Sequence, residues 1–127
     1  MIREQFAYRE TITTILADDP LHIEAAKEGM IAARTDFEQY LRTDPFFQMS
    51  YAPVQASRGA PLPVKQMADA SYEAGVGPMA SVAASIAWAG VRSMQEAGAS
   101  FGLIDNGGDI VLISERDMRV GIYAGSA

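Results

Sequence analysis

The sequence predicts an α+β domain in which helices pack on one face of a mainly antiparallel sheet. Three observations support this fold class: a β-branched run near the N-terminus, a long stretch with helical periodicity, and two apolar runs joined by Asn-Gly-Gly. The chain has 127 residues, of which 49% are hydrophobic. That size suits one domain or part of one, so we treat residues 1–127 as a single unit.

The first elements are strands followed by a helix. Residues 5–17 favour one or two short strands, because residues 11–15 are mostly β-branched. Asp18-Asp19-Pro20 predicts a helix start, with an Asp cap and Pro at the first helical position. The helix should continue to about Thr43, before Pro45, because apolar residues recur every three or four positions: Ile23, Ala26, Met30, Ala33, Phe37, Tyr40 and Leu41.

Residues 45–63 hold four of the six prolines and predict a long irregular connection. A short helix should follow over Val64–Ala74, ended by Gly75, and a second should run from Pro78 to about Ala97, ended by Gly98. Residues 74–91 carry no charge, but their glycines and serines favour a buried helix of small side chains over a membrane span. We expect Trp88 to pack among the small residues of its helix, and we expect the other aromatic side chains of this region in the core: Phe37, Tyr40, Phe46, Phe47 and Tyr51.

The C-terminal part predicts a β-meander. Phe101–Asp105 and Ile110–Ser114 should form a hairpin through the turn at residues 106–109, and a turn at 115–117 should lead to a third strand, Met118–Ala124. A meander that stops there leaves an open edge, and open edges are usually paired or covered. We therefore expect a homo-oligomer, or a missing C-terminal half that completes the sheet.

Charge and composition exclude several classes. The net charge of −6 and the isoelectric point near 4.6 argue against nucleic-acid binding, and no Lys/Arg run favours an anionic membrane. The absence of cysteine removes disulfides and thiolate chemistry. Charges in the first ten residues do not match a secretion signal, so we expect a cytoplasmic protein.

Two glycine segments are the candidate binding elements. Residues 75–80 fit a loose dinucleotide-binding pattern, but a helix precedes them and Pro78 lacks a donor, so we reject that fold. A glycine-flanked helix start either holds an anion or forms a close-packed corner. The turn at 106–109 is either a plain hairpin or the rim of a ligand site, where Asp109 is a candidate to bond a ribose or ribityl hydroxyl or to help hold Mg²⁺. His22, the only histidine, is expected on the surface, and no histidine zinc site or Ser-His-Asp triad is assembled.

Together the two segments resemble the ApbE-like superfamily, whose best-known members are FAD:protein FMN transferases. The resemblance covers nearly the whole chain and is strongest to a small uncharacterised branch with a Val-Gly-Pro-Met helix start (residues 76–79) and an Asn-Gly-Gly-Asp hairpin (residues 106–109). Further similarity to that branch lies at Arg34, Glu38, Pro45, Phe47, Ser50 and Pro53.

The resemblance implies an ApbE-like fold of which this chain is the N-terminal portion. It implies binding of FAD or another flavin with Mg²⁺, or of another anionic small molecule, at Gly75, Gly77, Asn106, Gly107, Gly108 and Asp109. The sequence departs from the transferases because no Lys follows the helix-start glycines, and because the segments associated with the metal belong to a C-terminal half. No catalytic residue is assigned. The alternative is a non-catalytic scaffold or oligomerisation module.

Overall fold

The computed structural model describes residues 1–8 and 11–115. In chain order its strands and helices are β1 (Ile2–Tyr8), β2 (Thr11–Ala17), α1 (Pro20–Thr43), α2 (Pro45–Met49), α3 (Leu62–Ala74), α4 (Val82–Glu96), β3 (Phe101–Asn106) and β4 (Asp109–Ser114). A 3-10 turn, Pro78–Ser81, leads directly into α4. The predicted turn at 115–117, beyond Glu115, and the predicted strand Met118–Ala124 lie outside the described residues.

The strands form one sheet in the order β1-β2-β3-β4, and every neighbouring pair is antiparallel. All the helices lie in the connection between β2 and β3, and α1 and α4 pack on one face of the sheet. Alternate residues of each strand point toward those helices. Ile15, Ile104 and Val111, which lie side by side on three neighbouring strands, are examples. The predicted α+β class is therefore confirmed, with two strands at the N-terminus.

The long helix starts and stops where the sequence predicts. Asp19 has extended backbone angles and accepts a hydrogen bond from the Leu21 amide at 2.8 Å, while Pro20 occupies the first helical position. At the other end, the Asp44 amide donates to the Leu41 carbonyl. The buried face consists of the periodic residues, with the exception of Leu41, which is only half-buried.

The connection after α1 is more ordered than predicted. Asp44 and Pro45 repeat the Asp-Pro pattern that starts α1, and the Asp44 side chain accepts a hydrogen bond from the Phe47 amide at 3.2 Å. This cap nucleates the short helix α2 inside the segment predicted to be irregular. The aromatic predictions split at the same place: Phe47 is buried, but Phe46 is 67% and Tyr51 is 96% exposed, so those two were wrongly placed in the core. One turn of helix buries only one of two adjacent side chains.

Two apolar clusters make up the core. The larger one lies between the sheet and helices α1 and α4, and includes Ile15, Met94 and Ile104. The smaller one joins the second half of α1 to α2 and α3 around Phe37, Tyr40 and Phe47. The rings of Tyr40 and Phe47 meet edge to face, with centroids 5.4 Å apart.

Small side chains let α1 and α4 approach closely: a Cβ placed on Gly90, within the uncharged segment, would lie 2.7 Å from Met30 Cγ of α1. A Cβ placed on Gly29 of α1 would lie 2.1 Å from the Ser93 hydroxyl oxygen of α4. Trp88 does not share this packing, because it lies off the buried face of α4 and is 36% exposed.

The helix predicted from Pro78 is divided into the 3-10 turn and α4, and it is followed by Gly98 in a left-handed conformation (φ +95°). Within the described part of the chain, no single helix has the length and apolar character of a membrane span. Only α3 together with the segment from Pro78 to Glu96 meets both criteria, and these two are bent by 109°.

Candidate functional site

The hairpin turn and the start of α4 lie side by side. The Asn106 side chain is 2% exposed, and its Nδ2 donates to the Ala83 carbonyl at 2.9 Å. Ala83 belongs to the first turn of α4. A single amide therefore connects the hairpin to the first turn of α4, the helix that follows the other glycine segment in sequence.

The oxygen of the same Asn106 side-chain amide accepts a hydrogen bond from strand β2. Thr13 faces Asn106 in the strand register, and its hydroxyl donates to Asn106 Oδ1 at 2.9 Å. Both side chains are buried, so a donor and an acceptor are satisfied inside the molecule. The sequence did not identify Thr13 as a residue that holds the hairpin in place. Its β-branched character indicated only a strand.

The turn itself has the geometry that its glycines suggest. Gly107 and Gly108 have φ values of +62° and +102°, as a type I′ hairpin requires, and no atom lies within 4 Å of a Cβ placed on either. The Gly108 amide donates to the Asp105 carboxylate at 2.9 Å. The hairpin therefore exposes glycine backbone to solvent at the end of the sheet.

Asp109 differs from the other candidate residues. It is exposed and lies opposite Asn106 in the register, on the helix-facing side of β4. Within the described part of the chain its carboxylate has no hydrogen bond or ion pair, whereas the Asn106 amide and the turn glycines have structural roles. Asp109 is therefore the candidate side chain that is free to bind a ligand.

The first glycine segment shows close packing. Gly75 ends α3 in the left-handed conformation (φ +70°), and its amide donates to the Ser71 carbonyl at 2.8 Å. Gly77 is buried, and a Cβ placed there would lie 1.9 Å from the Ser50 carbonyl oxygen. The loop after α2 therefore passes directly over Gly77. This contact corresponds to the close-packed corner considered from the sequence, and it occurs at the edge of an open groove.

That groove has a volume of about 710 Å³ and lies between the end of α2 and the 3-10 turn. Its lining is mostly apolar and includes Met49, Tyr51, Val76 and Met79 beside Gly77. Met49 and Tyr51 are exposed around it. The groove therefore offers apolar contact surface next to the start of α4.

His22 lies in the first turn of α1, away from the hairpin and the groove. His22 is half-buried rather than solvated, and its Nδ1 is buried without a hydrogen-bond partner among the described residues. Its predicted surface position was therefore wrong, since it lies in the first turn of α1 beside the buried Ile23. Across residues 1–8 and 11–115, no three His, Cys, Asp or Glu side chains cluster as a metal site would require.

Comparison with known proteins identifies the family to which this chain belongs. The family model described as AbpE bacteria matches residues 3–127, so the chain belongs to that family. This confirms the ApbE-related membership implied by the motifs, while the narrower branch remains a prediction.

Curated relatives with the name "UPF0280 protein" match the whole length of the chain. The protein of Methanocorpusculum labreanum is 73% identical over 127 residues, which are 100% of this chain and 54% of the relative. Those of Methanoregula boonei and Methanosphaerula palustris are 57% and 56% identical over 100% of this chain and 53% of each relative. The chain therefore spans about half the length of the curated relatives it matches, and their shared name specifies no biochemical activity.

Proposed function

We propose that this chain forms part of a binding site for a small anionic ligand, with flavin nucleotides as the first class to test. The observation that carries the proposal is the Asn106 amide, which joins the glycine hairpin to the first turn of α4. Exposed glycine backbone, a free carboxylate and a helix start then lie at one end of the molecule. Membership of an ApbE-related family supports the flavin class.

The dimensions of this end suit a ligand with an apolar part and a polar part. Gly77 in the wall of the groove and Ala83 beside the hairpin are six residues apart, which corresponds to roughly 9–11 Å along helical turns. A ring system would contact the apolar side chains of the groove. A hydroxylated chain would reach Asp109, because a carboxylate accepts hydrogen bonds from ribose or ribityl hydroxyls.

The proposal includes no metal and no transfer step. Asp109 is a single carboxylate, and within the described part of the chain no three His, Cys, Asp or Glu side chains cluster as a metal site. Residues 66–91 contain no Lys or Arg to meet a diphosphate at the helix start. We therefore propose ligand binding, and no catalytic step, for these residues. We also propose a cytoplasmic location for the protein.

Titration of the purified chain with FAD, FMN and riboflavin, followed by calorimetry, tests this proposal. We expect saturable binding that weakens at least tenfold, about 1.4 kcal/mol, in Asp109→Ala. Glu28→Ala removes an exposed carboxylate from α1 and serves as the matched control, which should bind as the wild type does. Equal binding by Asp109→Ala, or no flavin binding by the wild type at millimolar concentration, would contradict the proposal.

A non-catalytic assembly module is the second candidate function. The exposed apolar side chains on the outer face of the sheet favour it: Ile12, Ile110 and Leu112. Sedimentation of the same samples with and without FAD separates the two functions. Concentration-dependent self-association that is unaffected by nucleotide, together with no calorimetric signal, would favour the assembly module.

A further inference from the structure

A small cavity lies beneath the end of the sheet that carries the hairpin. Its walls come from both strands of the first hairpin, from α1 and from α4, and they include Phe6, Tyr8, Thr11, Thr13, Arg34 and Asn106. The volume is about 10 Å³, which is room for roughly one water molecule. Asn106 thus lines this cavity and also holds the candidate ligand hairpin in place.

Arg34 is the cation of this cavity. Its Nε donates to the Glu38 carboxylate at 3.3 Å, and its guanidinium carbon lies 5.7 Å from the centre of the Tyr8 ring. The side chain is 25% exposed. A guanidinium has five N–H donors, and within the described part of the chain only Nε is paired. The guanidinium is therefore held by Glu38 and Tyr8, and its terminal amino groups have no partner among the described residues.

The start of α4 has no cation nearby in sequence, whereas Arg34 of α1 lines the same cavity as Asn106. The segment from Gln66 to Val91 carries no cation, so an anion at α4 would meet only backbone amides there. In the folded chain, α1 places Arg34 in the same cavity wall as Asn106, whose amide bonds the first turn of α4. A cation from a distant part of the sequence therefore lies at the same end of the molecule.

We propose that Arg34 binds the phosphate group of the ligand at the mouth of this cavity. The inference rests on the proposed function, which it deepens by naming the residue that takes the anionic group. The cavity is too small for a phosphate, so the phosphate sits outside it against the guanidinium. Arginine suits this role because two parallel N–H donors match two phosphate oxygens. The neighbouring Glu38 carboxylate offsets part of the charge, so we expect modest affinity.

The test uses inorganic pyrophosphate as the probe, titrated calorimetrically at low ionic strength. We expect saturable binding by the wild type, at least a tenfold loss in Arg34→Gln, and a smaller loss in Arg34→Lys, which keeps the charge but not the paired donors. Arg92→Gln is the matched control, because Arg92 lines a different groove near the other end of α4. Thermal unfolding of each variant shows that the loss of binding does not come from unfolding.

Three results would overturn the inference: no pyrophosphate binding by the wild type, equal binding by Arg34→Gln, or an equal loss in Arg92→Gln. Flavin titrations of the same variants separate this failure from failure of the proposed function. If Arg34→Gln binds FMN and riboflavin as the wild type does, the flavin site stands and Arg34 has no part in it. If pyrophosphate binding depends on Arg34 while no flavin binds, the phosphate site stands and the flavin class is wrong.

Discussion

Asn106 illustrates how one polar side chain organises this end of the molecule. The sequence identified it as part of a turn and a candidate ligand contact, because Asn-Gly pairs are typical of hairpins. Its buried hydrogen bonds to Thr13 and Ala83 were not predictable, since both partners are distant in sequence. The structure thus gives Asn106 a positioning role and leaves Asp109 as the exposed candidate for ligand binding.

Replacing Asn106 by Ala should destabilise the fold by about 2 kcal/mol or more, because it leaves the buried Thr13 hydroxyl and the Ala83 carbonyl without this partner. Urea unfolding measures the change. Asp109→Ala, at the exposed residue opposite Asn106 in the strand register, should stay within about 0.5 kcal/mol of the wild type. If Asn106→Ala lowers the free energy of unfolding by less than about 0.5 kcal/mol, the two hydrogen bonds do not support the fold.

At the scale of elements, local capping signals predicted boundaries better than they predicted contacts. The Asp-Pro pair at Asp19-Pro20 correctly located the start of α1, and the same pair at Asp44-Pro45 explains α2, which the proline content of the segment had hidden. Gly75 and Gly98 ended helices as expected. The loop after α2 contacts Gly77, which is more than twenty residues away in sequence, so no local sequence pattern could predict this contact.

Substitution of Gly77 by Ala tests that contact. The new Cβ would lie 1.9 Å from the Ser50 carbonyl oxygen and 3.0 Å from the Tyr51 Cα, so the backbone of one segment must move. We expect a loss of about 1–3 kcal/mol in the free energy of unfolding. Gly59→Ala is the control, because nothing lies within 4 Å of a Cβ there, and its effect should be within about 0.5 kcal/mol. Similar unfolding midpoints for the two variants would argue against close packing at Gly77.

At the scale of the whole molecule, apolar packing joins the sheet to the layer of α1 and α4, and an ion-pair group of described residues adds to it at the edge. Lys27 of α1 forms ion pairs with Glu4 of β1 and with Glu24, and its ammonium lies 5.7 Å from the centre of the Phe6 ring. The hydrogen bond to Glu4 is the main cause of a raised pKa for Lys27, against an opposing contribution from desolvation. The group thus ties the first strand to the long helix in a chain of net charge −6.

Stability at high pH should therefore depend on Lys27. Because its pKa in the folded state is raised above that of the unfolded chain, about 10.4, its contribution is complete below that pH and is lost as the pH rises through the folded-state value. The difference in free energy of unfolding between the wild type and Lys27→Met should shrink as the pH rises above that value. Lys65→Met, at an exposed lysine of α3, should show no such trend. A constant difference for Lys27→Met would contradict the assigned contact.

The sequence by itself determined the element types, most of their boundaries and the hairpin glycines, because caps, periodicity and positive-φ turns depend on residues close together along the chain. The tertiary structure decided which aromatic side chains are buried, which loop passes over Gly77, and that Thr13, Arg34 and Asn106 lie around one cavity. These are contacts between distant segments, and they follow from how the sheet and helices pack rather than from any local pattern.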